Sequence, residues 1–186
     1  MKIIKLITQR LIIRDFKSGD EENIRDNVDN LKVSRYLAVV PYPYSKKDAM
    51  WFVNHCKEEQ KKKPRTSYEL GIELKEDSKI IGCIGLTSIN KYDGTATFGY
   101  WLGEKYWKQG IMTEASERIL RFAFNQLKLR RINVGAYTGN KASHALIKKL
   151  GFRYEGTCIK SHRTKSTGRL VDSNIYGLLK SEWKRG

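Results

Sequence analysis

Residues 98–118, Phe-Gly-Tyr-Trp-Leu-Gly-Glu-Lys-Tyr-Trp-Lys-Gln-Gly-Ile-Met-Thr-Glu-Ala-Ser-Glu-Arg, concentrate the groups of this chain best suited to chemistry. A β-rich run ends near Leu102, a loop carries Gly103 and Gly110, and a helical pattern begins near Thr113. A loop that feeds a helix amino terminus presents unbonded backbone N–H groups and the positive end of the helix dipole. Such a site takes a phosphate without any special side chain. Gly110 lets the backbone approach a ligand closely, and Lys105 and Lys108 add charge beside it. The same glycine would equally serve a tight turn that binds nothing. The spacing is neither the GxxxxGK[ST] of a nucleoside triphosphate loop nor the GxGxxG of a dinucleotide fold.

Further along, Asn140 stands where it can cap a short helix, with Ser143 in the first turn. His162, with an unperturbed pKa of about 6.5, is suited to moving a proton near neutrality. It also reads as a lone exposed histidine. His55 and His144 have no partner at a metal-ligand spacing, so no metal site is expected. Cys56, Cys83 and Cys158 form no CxxC pair and leave an odd count, which points to free, inert packing thiols in a reducing compartment.

The elements that must position these groups follow from periodicity and punctuation. Residues 6–16 read as a first strand, and Ser18, three before Glu21, opens a helix to about residue 30. Pro41-Tyr-Pro43-Tyr is a loop; Ser45 with Asp48 repeats the capping spacing and starts a helix that stops at Lys63-Pro64. Strands are expected at about 67–75, 79–90 and 95–102, an antiparallel meander with turns at Glu76-Asp77-Ser78 and Tyr92-Asp93-Gly94. Ala115, Ile119, Phe122, Ala123 and Leu127 recur at helical spacing from Thr113 to about Leu127. Ile132–Tyr137 is a strand, a helix runs from Asn140 to Leu150-Gly151, and strands at about 152–160 and 169–179 flank a polar loop. The order β-α-α-β-β-β-α-β-α-β-β is α/β with a mixed sheet.

At 186 residues, without a Gly/Ser- or Pro-rich linker or an internal repeat, one domain over 1–186 is expected. No apolar run nears the roughly 20 residues of a membrane span. Met1-Lys-Ile-Ile-Lys5 has no signal-peptide core, because Lys5, Arg10 and Arg14 interrupt it, so a cytoplasmic location is expected. Lys plus Arg number 36 against 20 acidic residues, a formal +16. That balance attracts polyanions, acidic proteins or phosphate-bearing ligands and repels polycations. The Lys57–Arg65 run and the Lys160–Arg169 loop are its main clusters. Each reads as a solvated surface, or as a dock for an acidic partner or RNA.

Tyr100-Trp101-Leu102, then Tyr106-Trp-Lys-Gln-Gly110-Ile-Met-Thr-Glu-Ala115, resembles the pyrophosphate-loop motif of the GNAT N-acetyltransferases. The nearest likeness is to the RimJ/RimL group, which acetylates ribosomal-protein amino termini. The resemblance continues at Thr8-Gln-Arg-Leu-Ile-Ile-Arg14, Ile80-Ile-Gly-Cys-Ile-Gly-Leu86, Asn140-Lys-Ala-Ser143, Leu150-Gly-Phe152 and Glu155-Gly156. It covers nearly the whole chain in order.

This resemblance implies the GNAT fold: a central, mostly antiparallel mixed sheet, helices on both faces, and a V-shaped split between two parallel strands ending near Leu102 and Tyr137. Acetyl-CoA would lie in the split. Main-chain groups of Tyr100, Trp101 and Leu102 would meet pantetheine and the acetyl carbonyl. Amides of Lys108, Gln109, Gly110, Ile111, Met112 and Thr113 would take the pyrophosphate, and Asn140 and Ser143 would sit beside the cofactor. Ser143 would be the acid for the departing thiolate and His162 a candidate base, with Asp172 or a water relay as alternatives.

There are departures from the family. The pattern Arg/Gln-x-x-Gly-x-Gly/Ala meets Trp107, Gly110 and Met112 here; the tyrosine common seven residues after the cap is Ile147; and Val134 and Gly135 stand where some members carry a glutamate base. The activity so implied is acetyl transfer to the α-amino group of a protein, a ribosomal protein first among candidates, by a monomer or homodimer. Its rivals are a small-amine acetyltransferase (antibiotic or metabolite) and a non-catalytic ribosome- or RNA-binding module with this fold.

Overall fold

The computed structural model describes residues 3–183, so Met1 and Lys2 of the amino-terminal reading lie outside it. One mixed sheet of eight strands has the order β1-β2-β3-β4-β5-β6-β8-β7. Its strands are β1 (Lys5–Ile7), β2 (Leu11–Asp15), β3 (Tyr68–Leu74), β4 (Ile80–Asn90), β5 (Thr95–Leu102), β6 (Arg131–Tyr137), β7 (Arg153–Arg163) and β8 (Leu170–Leu179). All neighbours are antiparallel except β5 and β6. The helices are α1 (Glu21–Val28), α2 (Leu31–Ser34), α3 (Lys46–Lys61), α4 (Ile111–Arg121) and α5 (Lys141–Lys149).

Side chains alternate across a strand, and the sheet uses both faces. Ala96, Phe98 and Leu102 of β5 and Ile132, Val134 and Ala136 of β6 join the core beneath α4 and α5. Trp101 turns the other way, onto the cluster that α1 and α3 build with Phe16, Ile24 and Val53. Each fully buried aliphatic side chain in these layers contributes roughly 1.5–3 kcal/mol. Helices on both faces and a mostly antiparallel mixed sheet are thus what the chain forms.

Several local readings shift. The stretch 6–16 is a hairpin, β1 and β2, because Thr8 makes the turn: its N–H donates to Leu11 O (3.0 Å) and its hydroxyl accepts from Leu11 N (2.9 Å). Ser18 does not open α1. Asp20 precedes it without capping, since its carboxylate holds both Nη atoms of Arg14 (2.8 and 2.9 Å). Glu21 does reach back, but to Gly19 N (2.7 Å). Ser45 and Asp48 form the expected capping box. The helix expected at Thr113 starts two residues earlier and continues past Arg121 in a π-helical turn, Phe122–Gln126. The short helix α2, capped by Asn30 onto Lys32 N (2.9 Å), was not foreseen.

Cys56 and Cys83 are buried free thiols, pushed up in pKa by that burial, whereas Cys158 stands exposed on β7 rather than packed. At the end of α3, Lys61 and Lys62 pair with Glu58 and Glu59, a solvated helix end. The loop after β7 docks instead: Ser166 Oγ donates to Ser34 O (3.1 Å) and Lys165 N to Ala38 O (3.3 Å). Among the described residues no helix is long and apolar enough to cross a membrane, and no group of three His, Cys, Asp or Glu is placed to hold a metal.

Candidate active site

Strands β5 and β6 pair only from Thr95↔Arg131 to Phe98↔Val134, yet they run on to Leu102 and Tyr137. Beyond Phe98 they part, and a cleft of about 1120 Å³ opens between them. That is slightly above the roughly 300–1,000 Å³ of ordinary ligand pockets. Gly99 and Gly135 line it just past the last pair, and a Cβ on Gly99 would meet nothing within 4 Å.

Gly103 donates its N–H to Ile81 O of β4 (2.9 Å), and Trp101 stands opposite Cys83. Backbone groups of a strand alternate between its two neighbours. Those of Tyr100 and Leu102 therefore point away from β4, into the gap where β6 has left. The Leu102 carbonyl is already taken, by Trp107 Nε1 at 2.7 Å. The N–H groups of Tyr100 and Leu102 are the donors that face the split.

A 3₁₀ turn, Glu104–Tyr106, carries the chain out of β5 and into the loop before α4. Lys108 and Gly110 both have positive φ, +59° and +75°. A left-handed lysine is uncommon and costs on the order of 1 kcal/mol. Left-handed residues of this kind are a feature of the backbone concavities that bind anions. The N–H groups of residues 108–113 donate to nothing among the described residues.

Asn140 caps α5, its Oδ1 accepting from Ser143 N (3.2 Å). The Ser143 hydroxyl meets the phenol of Tyr100 at 2.7 Å. Burial pushes the Tyr100 phenol up to about 12, with the bond to Ser143 pulling the other way. His144 is structural: its two ring nitrogens engage Tyr137 O (3.0 Å) and Tyr176 Oη (2.9 Å), tying α5 to β6 and β8.

His162 is exposed on β7, its ring 5.8 Å from that of Tyr137 and its Nδ1 2.9 Å from Ser161 Oγ. Asp172 is not part of the cleft wall; its Oδ1 accepts from Lys160 N (2.7 Å), which holds the β7–β8 hairpin.

Of the site residues expected from the sequence, Tyr100, Trp101 and Leu102, residues 108–113, Asn140, Ser143 and His162 reach the wall of this one cleft, and the alternative base Asp172 does not. Sequence reasoning missed the side chain of Tyr100 as Ser143's partner, and also Tyr137. Tyr137 is 9% exposed and its hydroxyl has no partner among the described residues. Nor did it foresee that Val33 and Tyr36, from α2 and the segment after it, close the other side. The Asn30 cap was the available signal for α2. Among the described residues no Asp or Glu lines the cleft, whereas Lys32, Lys108 and Lys141 do. Lys32 is paired to Glu104 at 2.5 Å.

The family described as "Acetyltransferase (GNAT) domain" matches residues 10–153. The protein named "Uncharacterized N-acetyltransferase p20" of Bacillus licheniformis is 28% identical over 180 residues, 96% of this chain and 97% of its own length. The "Ribosomal-protein-serine acetyltransferase" of Escherichia coli strain K12 is 34% identical over 87 residues, 47% of this chain and 48% of that protein. Spermidine N-acetyltransferase from Vibrio cholerae, solved with CoA and spermine, superposes with a TM-score of 0.79. It is 21% identical, over 94% of this chain and 98% of that one, so the likeness concerns the fold alone.

Proposed function

Because this chain belongs to the GNAT acetyltransferase family, we propose that it transfers acetyl from acetyl-CoA to the α-amino group of a protein. A ribosomal protein is the acceptor class that its relatives' names favour. The cleft suits a long, phosphate-bearing thioester: unpaired strand amides line its floor and unpartnered amides line its far end. Bound acetyl-CoA supplies an activated acyl group.

In this reading, the amides of residues 108–113 hold the pyrophosphate and the start of α4 adds its dipole. The N–H of Leu102 or Tyr100 faces the acyl oxygen as negative charge builds there, a contribution of roughly 3 kcal/mol. Ser143 gives its proton to the departing sulfur while the phenol of Tyr100 hydrogen-bonds to the serine oxygen, and solvent then returns a proton to Ser143. The proton lost by the amine passes to His162 or to water.

One observation carries the choice of acceptor: among the described residues no carboxylate lines the cleft. A polyamine or other small cation finds no counter-charge there, and a lysine finds no base of the usual acidic kind. A free α-amine, with a pKa of about 7.7–8.0, is roughly a quarter to two-fifths neutral near pH 7.5, against about 0.1% for a lysine at about 10.4. The formal +16 charge steers acidic chains toward the site.

Thiol release from acetyl-CoA, measured with α-amine peptides, with spermidine and with no acceptor, tests the reading. Release only with the peptides is expected. Release with spermidine alone would assign the site to small amines, and none with any acceptor would favour a binding module.

A further inference from the structure

The Thr8-Gln9-Arg10 turn joins β1 to β2, which stand four and three strands away from β5 in the sheet, yet it touches the loop before α4. Arg10 Nη1 donates to Gln109 O (2.9 Å) and its Nε to Glu114 Oε2 (2.7 Å). The Arg10 backbone N–H (2.9 Å) and the Thr8 hydroxyl (2.6 Å) both donate to Glu114 Oε1. Lys75, just past β3, pins the turn from behind, its Nζ donating to Thr8 O (2.6 Å) and Gln9 O (3.1 Å). Arg10 and Glu114 do not themselves line the cleft.

We propose that this turn is the positioning device of the anion loop, with Arg10 acting through Gln109 and Glu114 to keep the amides of residues 108–113 aimed at the ligand. The proposal rests on the reading that this loop takes the phosphates of acetyl-CoA. Three features of the chain support it.

The loop contains two left-handed residues, and one of them, Lys108, has no intrinsic preference for that state. Something must hold it, and Arg10 grips the carbonyl of Gln109 between the two. Glu114, in the first turn of α4, would otherwise set a negative charge near the phosphates. Burial works against its ionised form, but the bonds from Thr8 and Arg10 outweigh that and hold it below the usual carboxylate range. The charge is thus kept, and kept turned toward Arg10. Finally, a planar guanidinium can bind a carbonyl and a carboxylate at once, whereas an ammonium is a point charge without that fork.

Arg10→Gln, Arg10→Lys and Glu114→Gln, with the Arg10→Gln/Glu114→Gln pair, test the proposal. The measurements are CoA affinity by calorimetry, KM for acetyl-CoA, kcat, acceptor KM and Tm. Wild-type binding of CoA is the control for the underlying reading; its absence would overturn both together. With CoA bound by the wild type, both Arg10 variants should weaken CoA and raise KM for acetyl-CoA about tenfold, the loss of roughly one charge-assisted bond. The kcat at saturation and the acceptor KM should stay within about twofold, and the double variant should be no worse than Arg10→Gln alone. 3′-Dephospho-CoA should lose as much affinity as CoA. A fall in Tm with unchanged CoA affinity would make the contacts merely structural and overturn the proposal. So would full rescue by lysine, or an effect confined to CoA with its 3′-phosphate, since Arg10 would then meet the ligand directly.

Discussion

The phenol of Tyr100 and the hydroxyl of Ser143 meet at 2.7 Å across the split, one from β5 and the other from the first turn of α5. In the proposed reaction Ser143 loses a proton to sulfur, and the oxygen it leaves is one that Tyr100 can donate to. Ser143→Ala should lower kcat by about 10²-fold or more, the scale of a lost general acid, with little change in KM for acetyl-CoA. Tyr100→Phe should cost about tenfold in the same direction, because it acts one bond further away. The double variant should match Ser143→Ala. Steady-state kinetics on the three proteins checks this; a loss seen only in cofactor KM would make Ser143 a binding residue.

How much of this was legible in the sequence depended on distance along the chain. The Ser45–Asp48 box and the Tyr92-Asp93-Gly94 turn are local, and both stand where expected. The hairpin at Thr8 was hidden because Thr-Gln-Arg carries no Gly or Pro to announce a turn. The start of α4 was read late because Gly110, at φ +75°, ends the loop directly before Ile111, an apolar residue that gives no capping signal. The loop, Asn140 and Ser143 could be named from motifs, and His162 from the chemistry of its side chain. The Tyr100–Ser143 and Arg10–Glu114 contacts could not: their partners are 43 and 104 residues apart and meet only once the sheet has formed.

Alkaline stability should report on Tyr100. Its pKa is pushed up to about 12 by burial, against about 10 for a free phenol. A raised value means the folded state favours the protonated phenol. Its contribution to stability is therefore full below about pH 10 and is lost as pH rises toward about 12. Burial raises Tyr137 and Tyr44 as well, in the same sense. Melting curves from pH 8 to 12 should fall more shallowly for Tyr100→Phe than for the wild type; equal slopes would contradict this.

Gly110 separates space from charge. A Cβ there would meet only Arg10 Nη2, at 3.6 Å, so the cost of Gly110→Ala is its left-handed φ of +75°, about 1 kcal/mol. Gly110→Glu should fold comparably and yet bind no CoA, because it sets a carboxylate in the anion loop. Thermal shift with and without CoA reads both terms. Retained CoA stabilisation of Gly110→Glu would contradict the placement of the phosphates.

Tyr137 has a buried hydroxyl with no partner among the described residues. Removing an unsatisfied polar group spares its desolvation cost, which is about 1–3 kcal/mol. Tyr137→Phe should therefore match or exceed the wild type in denaturant midpoint. A loss of more than about 1 kcal/mol would mean that the phenol is bonded in solution.

Acceptor chemistry tests the central reading most directly. Two acidic peptides of one sequence, each with an internal lysine, would differ only in a free or a blocked amino terminus. Each is incubated with the protein and acetyl-CoA at about 50 and 500 mM salt, and the acetylated position is mapped by mass spectrometry. Acetylation of the free terminus, faster at low salt because the +16 surface steers acidic chains, with the blocked peptide untouched, is the expected result. Efficient acetylation of the lysine in the blocked peptide would contradict it.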